Sequence, residues 1–240
     1  MSDAPPVTRS VMALFAHPDD PEFFAGGVLA KWGAEGKRLF YVLATSGDKG
    51  SDDVSMTRER LVEMREAEQR NAAAVTGAAP EDVIFLRNPD GELFPDLALR
   101  KQLTRVLRQY KPDIVVTCDP TARWGRNSGI NHPDHIAIGN AVLDAVYPTA
   151  RDRFNFVELW RDEGLEPHKV RHVYLAGTHE PNIRTDITPF VEQKIRAIMC
   201  HQSQVKDPAA LEKRILGNQD ADYLEDKPRY TEQYRVLTLG

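Results

Sequence analysis

Cysteine is nearly absent from these 240 residues: Cys118 and Cys200 stand alone, too few and too far apart for a disulfide framework or a zinc ribbon. Both read as reduced and buried. Basic residues are in deficit, 31 Lys and Arg against 36 Asp and Glu for a formal net charge of -5. No basic stripe could neutralise a run of phosphates, which argues against a nucleic-acid partner. No apolar run approaches the roughly 20 residues that span a bilayer. Nor does Met1-Ser2-Asp3-Ala4-Pro5-Pro6 offer the positive region and apolar core of a cleaved signal, so a cytoplasmic chain without membrane contact is expected. Repeats, low-complexity tracts and dividing linkers are missing. Gly47-Asp48-Lys49-Gly50-Ser51 lacks the Gly-Lys-Ser/Thr order of a phosphate loop, and Gly26-Gly27 is not spaced as a dinucleotide fingerprint.

What is present suits a globular protein, with 41% hydrophobic and 28% charged residues. The length allows one large α/β domain or two small ones. Apolar runs predict strands at 11–15, 39–44, 83–86, 114–118 and 173–176, the second continuous enough to be covered on both faces. Helices are expected at 28–35, opened by Gly26-Gly27 and closed by Gly36, then at 57–75, 97–110, 135–146, 188–201 and 207–217. Strand, helix and strand at this spacing imply right-handed crossovers and parallel pairing. The irregular stretch 147–170 reads as an insertion or flap.

Two polar clusters follow strands. His17-Pro18-Asp19-Asp20-Pro21-Glu22 comes directly after 11–15, and Asn131-His132-Pro133-Asp134-His135 follows 114–118 by way of a loop. Imidazole and carboxylate suit a divalent ion such as zinc, and catalytic zinc keeps three protein ligands and an open position. His17, Asp20 and one of His132 or His135 make such a set, while the neighbouring Asp19 is free to act as a base. The plainer readings are a solvated loop for the first cluster, a helix-cap histidine for His132 and a first-turn acid for Asp134. Two intact clusters together weigh against them.

These residues resemble the PIG-L (LmbE-like) metal-dependent de-N-acetylases. The resemblance rests on Ala16-His17-Pro18-Asp19-Asp20 with Glu22, and on His132-Pro133-Asp134-His135. Between them Thr45–Gly50, Arg65-Glu66-Ala67-Glu68 with Gly77, and Pro89-Asp90-Gly91-Glu92 keep the family's order. Lys194–Gln204 and Glu232-Gln233-Tyr234-Arg235 are similar to its late helix and closing segment. It implies one domain over 1–240, with a Rossmann-like three-layer α/β fold around a mostly parallel sheet. It further implies a zinc-dependent hydrolase, or one using another divalent metal, that removes an acetyl group from a small N-acetylated substrate of amino-sugar type.

The site expected on this basis has His17, Asp20 and His135 as metal ligands and Asp19 as general base. His132 is expected to be protonated and to stabilise the oxyanion, with Asp134 orienting or charging an imidazole. The resemblance gives Arg65 and Asp90 substrate contacts, against the plainer readings of a surface ion pair and a turn acid. Glu22 either organises the motif from behind or caps the helix near Gly26; His201 is structural or lies behind the pocket. His168, His172 and His179 are expected to be structural or exposed. The loops 51–57, 119–130 (with Arg123, Trp124 and Arg126) and 147–170 are expected to set specificity. Self-association is left open. Two other readings remain: an amidase of the same family acting on a thiol conjugate or another N-acyl compound, and a non-catalytic sugar- or nucleotide-binding protein.

Overall fold

A computed structural model describes residues 8–125, 129–219 and 230–240; Met1–Pro6 and Arg126 lie outside these. The elements are β1 (Ser10–Phe15), α1 (Asp20–Ala34), β2 (Arg38–Thr45), α2 (Arg58–Thr76), β3 (Val83–Asn88), α3 (Leu97–Tyr110), β4 (Ile114–Cys118), α4 (Pro133–Asp144), α5 (Val157–Arg161), β5 (His172–Ala176), β6 (Ile183–Asp186), α6 (Val191–Ile198), α7 (Pro208–Gly217) and β7 (Thr231–Thr238). The strands form one sheet in the order β3-β2-β1-β4-β5-β7-β6. The first five pair in parallel, whereas β7 runs antiparallel to both β5 and β6.

The continuous apolar run of β1 is explained by its neighbours. Val11 registers with Leu39 on one side and Ile114 on the other, and Val11, Met12, Ala13, Leu14 and Phe15 are fully buried. Helices α1, α2 and α6 pack together on one face, and α3 and α4 on the other. These are the three layers expected. Strand order therefore reverses between β1 and β4, and adjacent loops there leave on opposite faces, opening a crevice at the carboxyl edge where open α/β sheets place their ligands.

Several boundaries differ from expectation. Helix α1 begins at Asp20, not near Gly26, because Pro21 suits a first helical turn and the acids Asp20 and Glu22 complement its amides. Expected 188–201 is shorter, a 3-10 turn at Thr188–Phe190 followed by α6. Strands β6 and β7 were not anticipated: β6 is short and mostly exposed, and the inward positions of β7 include Glu232 beside Tyr234, which hides the apolar alternation. Residues 147–170 are no flap over the crevice. Arg105 binds Glu163 at 2.7 Å, and the fully buried Arg108 donates to the carbonyls of Thr149, Asp152 and Asn155. His168 reaches the carbonyl of Pro112, just before β4. The segment thus lies at the opposite end of the strands. Cys118 is buried, but Cys200 is only partly so. No described helix is long and apolar enough to cross a membrane.

Candidate metal centre

His17 leaves the end of β1, and α4 carries His132 and His135 at its start, beyond the loop that follows β4. Because β1 and β4 pair directly, clusters roughly 115 residues apart in sequence become neighbours. Asp20 lies between the two: Oδ2 is 3.3 Å from His17 Nδ1 and Oδ1 is 3.0 Å from His135 Nε2. The ligand atoms of His17, Asp20 and His135 all lie within 4.8 Å of one another. The expected set is thus assembled, and the choice between His132 and His135 falls to His135 for this cluster.

Hydrogen bonds behind the rings decide which nitrogens are free. Asn131 donates through Nδ2 to the carbonyl of Ala122 at 2.7 Å, which turns its Oδ1 toward His135 Nδ1 at 2.9 Å. Nδ1 therefore carries a proton, and Nε2 is the nitrogen turned toward Asp20, 3.0 Å away. His17 Nε2 faces Asp90 at 3.1 Å and Asp134 at 3.3 Å, so Nε2 keeps a proton there, and Nδ1, turned toward Asp20, is the nitrogen that would exchange its proton for a cation. Outer carboxylate and amide partners of this kind fix the tautomers of metal-ligating histidines. The donor set fits zinc or a similar divalent ion.

The local field also favours a cation. Burial alone would lower the pKa of His17, but Asp20 and the hydrogen bonds to Asp134, Asp20 and Asp90 push it up to about 12. Burial opposes the charge of Asp20, yet His135 and His17 outweigh it and hold the carboxyl well below the usual carboxylate range. His17, Asp90 and His132 form a second group with ligand atoms within 4.8 Å. It uses the other ring nitrogen of His17 and so overlaps the first.

Asp19 precedes α1 with φ at 96°, a conformation costing roughly 1–3 kcal/mol for a residue with a side chain. Its amide donates to Gln69 Oε1 at 2.9 Å, and its carbonyl accepts from the amides of Glu22 and Phe23 at 3.1 Å. Burial raises its carboxyl to about 6, against the opposing pull of Arg65. Arg65 is buried and donates to the carbonyls of Pro18 at 2.5 Å and Gly47 at 3.2 Å, with Asp19 Oδ2 3.3 Å away. A Cβ on Gly47 would lie 2.0 Å from Arg65 Nη1, so the glycine loop makes room for a guanidinium rather than a phosphate. Arg65 is thus no surface ion pair: it is buried and holds Asp19 and the backbone on either side of it.

His132 is the N-cap of α4, its Nδ1 accepting from the amide of Asp134 at 3.2 Å. Burial and the neighbouring His17 lower its pKa. In place of the expected imidazolium, the geometry supports a neutral ring with its proton on Nε2. The Asp134 carboxylate is buried, accepts from the amides of Gly91 and Leu93, and addresses His17 rather than His132. Asp90 is buried at the same nitrogen, beyond what a turn acid requires.

Glu22 is buried and does not cap the helix near Gly26. It accepts from Gln69 Nε2 at 2.8 Å and faces His201 Nε2 at 3.1 Å. A buried chain therefore runs His201–Glu22–Gln69–Asp19. Sequence reading missed Gln69 and passed over Asn131; a Gln one helical turn beyond Arg65 was the available cue for the first. His168 and His179 bond to backbone carbonyls and His172 to Thr238, away from the centre. Beyond Phe24 and Asn131 lies a cavity of about 570 Å³ lined by Asp119, Trp124, Thr178 and Gln233 among others, so loop 119–130 does border a pocket.

The family model described as PIG-L, GlcNAc-PI de-N-acetylase, matches residues 12–146. The chain is 32% identical to a diacetylchitobiose deacetylase of Thermococcus kodakarensis, over 82% of this chain and 70% of that one. It is 28% identical to a mycothiol S-conjugate amidase of Streptomyces coelicolor, over 71% of this chain and 62% of that one. The solved N,N'-diacetylchitobiose deacetylase of Pyrococcus horikoshii, complexed with its inhibitor MPG, superposes with a TM-score of 0.80 at 29% identity, over 96% of this chain and 84% of that one. The matched segment holds both histidine clusters and the strands that join them, and the chain belongs to the PIG-L family.

Proposed function

We propose that the protein is a zinc-dependent N-deacetylase that hydrolyses the acetamide of a small N-acetylglucosaminyl-type substrate. The observation that carries the reading is the convergence of His17 Nδ1, Asp20 and His135 Nε2, with both imidazole tautomers set by Asn131 and by Asp90 and Asp134. When bound there, a divalent ion would supply Lewis acidity that lowers the pKa of water from 15.7 to about 7.

The chain's own groups account for the proton traffic. Asp19, beside the ligand Asp20 and held up to about 6 by burial, accepts the proton of the attacking water. Arg65 and Gln69 keep it in place meanwhile. His132 offers its Nε2 proton to the oxygen on which charge develops. Protonated Asp19 or His132 then donates to the departing amine, giving acetate and a free amine. Asp90 contributes to the substrate side of the pocket as well as to His17. The reading keeps one domain across residues 1–240 and a cytoplasmic setting.

The test is to quantify bound metal, remove it with a chelator, and follow amine and acetate release from N-acetylglucosamine and its disaccharide. Activity that disappears with the ion and returns with zinc supports the proposal. Metal binding without release from either sugar rejects the substrate class. The amidase reading then gains ground through a panel of thiol conjugates, in keeping with the resemblance to the Streptomyces coelicolor amidase.

A further inference from the structure

Helix α1 is gripped at its middle by the C-terminal part of the chain. In an unbroken helix the amides of Gly27 and Val28 bond to the carbonyls of Phe23 and Phe24. Here Glu232 of β7 accepts from both amides at 2.9 Å, one carboxylate oxygen for each. Lys194 of α6 donates to the carbonyl of Phe23 at 2.9 Å, and the Tyr234 oxygen lies 3.3 Å from that of Phe24, its single proton shared between this carbonyl and the nearer Glu232. Side chains thus meet both ends of the same two rungs. The three are also joined to one another: Glu232 accepts from Lys194 Nζ and from Tyr234 Oη, each at 2.7 Å. Side chains that enter the ladder are a recognised cause of a kink in a helix, and a carboxylate on two successive amides acts there as it would at a helix N-terminus.

The Gly26-Gly27 pair permits the approach. A Cβ on Gly27 would lie 2.5 Å from Ile187 Cδ1, and one on Gly26 3.0 Å from Lys194 Cγ. The glycines therefore mark the contact point, here called the joint, where outside side chains reach the backbone of α1, itself one helix over Asp20–Ala34. On its far side the joint serves the centre: residues 20–26 carry Asp20 and Glu22, and the Phe24 ring lies edge-on to His135 at 5.4 Å and stacks on Phe15.

We infer that Glu232, with Lys194 and Tyr234, positions the metal-binding turn of α1 independently of the rest of the helix and, through Phe24, sets the ring of His135. The inference rests on the metal-site reading above. All three residues lie outside the matched segment 12–146, so part of the machinery that shapes the centre is supplied from beyond it.

Hydrogen exchange and cobalt(II) titration of the wild-type, Glu232→Gln and Tyr234→Phe proteins test this. Expected in both variants is faster exchange confined to residues 20–26 while 28–34 stay protected. Cobalt affinity should fall by about 10- to 100-fold, with an altered d–d spectrum. Uniform loss of protection along α1, or a lowered Tm with unchanged cobalt affinity and spectrum, overturns it and leaves the three residues merely structural. Should Glu232→Gln not fold, Tyr234→Phe, which removes only a hydroxyl, carries the same readouts. Failure of wild type to take up cobalt would sink the metal reading and with it the positioning role, while the exchange pattern would still decide whether the joint exists.

Discussion

Asn131 holds His135 by its back: Oδ1 lies 2.9 Å from Nδ1, and the amide cannot turn because its Nδ2 is engaged by the carbonyl of Ala122. The free nitrogen of His135 is thereby fixed on the Asp20 side. Asn131→Ala should lower zinc affinity by about 10- to 100-fold with little effect on fold, and Asn131→Asp should retain most of it. Competition against a chromophoric chelator measures both; equal affinity in all three proteins would show that the tautomer is set elsewhere.

Asp19→Asn is expected to bind the ion as wild type does and to lose about 10²- to 10⁴-fold in kcat. Asn tolerates the positive φ of this position, so the turn survives and only the base is lost. The wild-type rate should be present above an acid limb and fall as pH drops through it. That limb belongs at or below about 6, the value that burial gives Asp19 before a bound cation pulls it lower. A limb well above 6, or a variant that keeps its rate, would remove Asp19 from the role of base.

The two clusters and the five parallel strands were legible because each depends on local pattern: an apolar run, then ligands at its end. The contact at the middle of α1 was not legible. Gly26-Gly27 reads as a helix start but lies inside α1, and the residue that meets its amides, Glu232, is more than two hundred positions away, with no local rule to connect them. Likewise Arg65 stands out among the charges of α2 only by resemblance. Its true surroundings, Pro18, Gly47 and Asp19, come from two segments that meet α2 only after the sheet has formed. The reversal of strand order between β1 and β4, which brings the clusters together, follows from tertiary packing and not from either motif.

Arg65 offers a way to separate bracing from substrate contact. Its charge holds the Asp19 carboxyl down against burial. Arg65→Gln should therefore move the acid limb of kcat toward higher pH, since the base protonates more readily, while KM changes little. Gly47→Ala should act in the same direction, because the new Cβ would displace the guanidinium. A KM increase with an unmoved limb would instead return Arg65 to the substrate.

The chain behind Asp19 makes a separate claim about stability. His201 is fully buried, its Nε2 3.1 Å from Glu22 and its Nδ1 without a hydrogen-bond partner among the described residues. Burial lowers its pKa, but the hydrogen bond and charge of Glu22 and the charge of Asp19 outweigh that and raise it. A histidine whose folded pKa is raised contributes stability that is fully present below its unfolded value, about 6.5. That contribution is lost as pH rises through the folded value. The Tm difference between wild type and His201→Gln should accordingly be wider at pH 6 than at pH 9. Glu22→Gln should narrow the same gap, because the imidazolium then has lost its principal partner. A gap independent of pH would mean that His201 is buried neutral, and that the chain steadies Asp19 through packing and hydrogen bonds without a charge at its end.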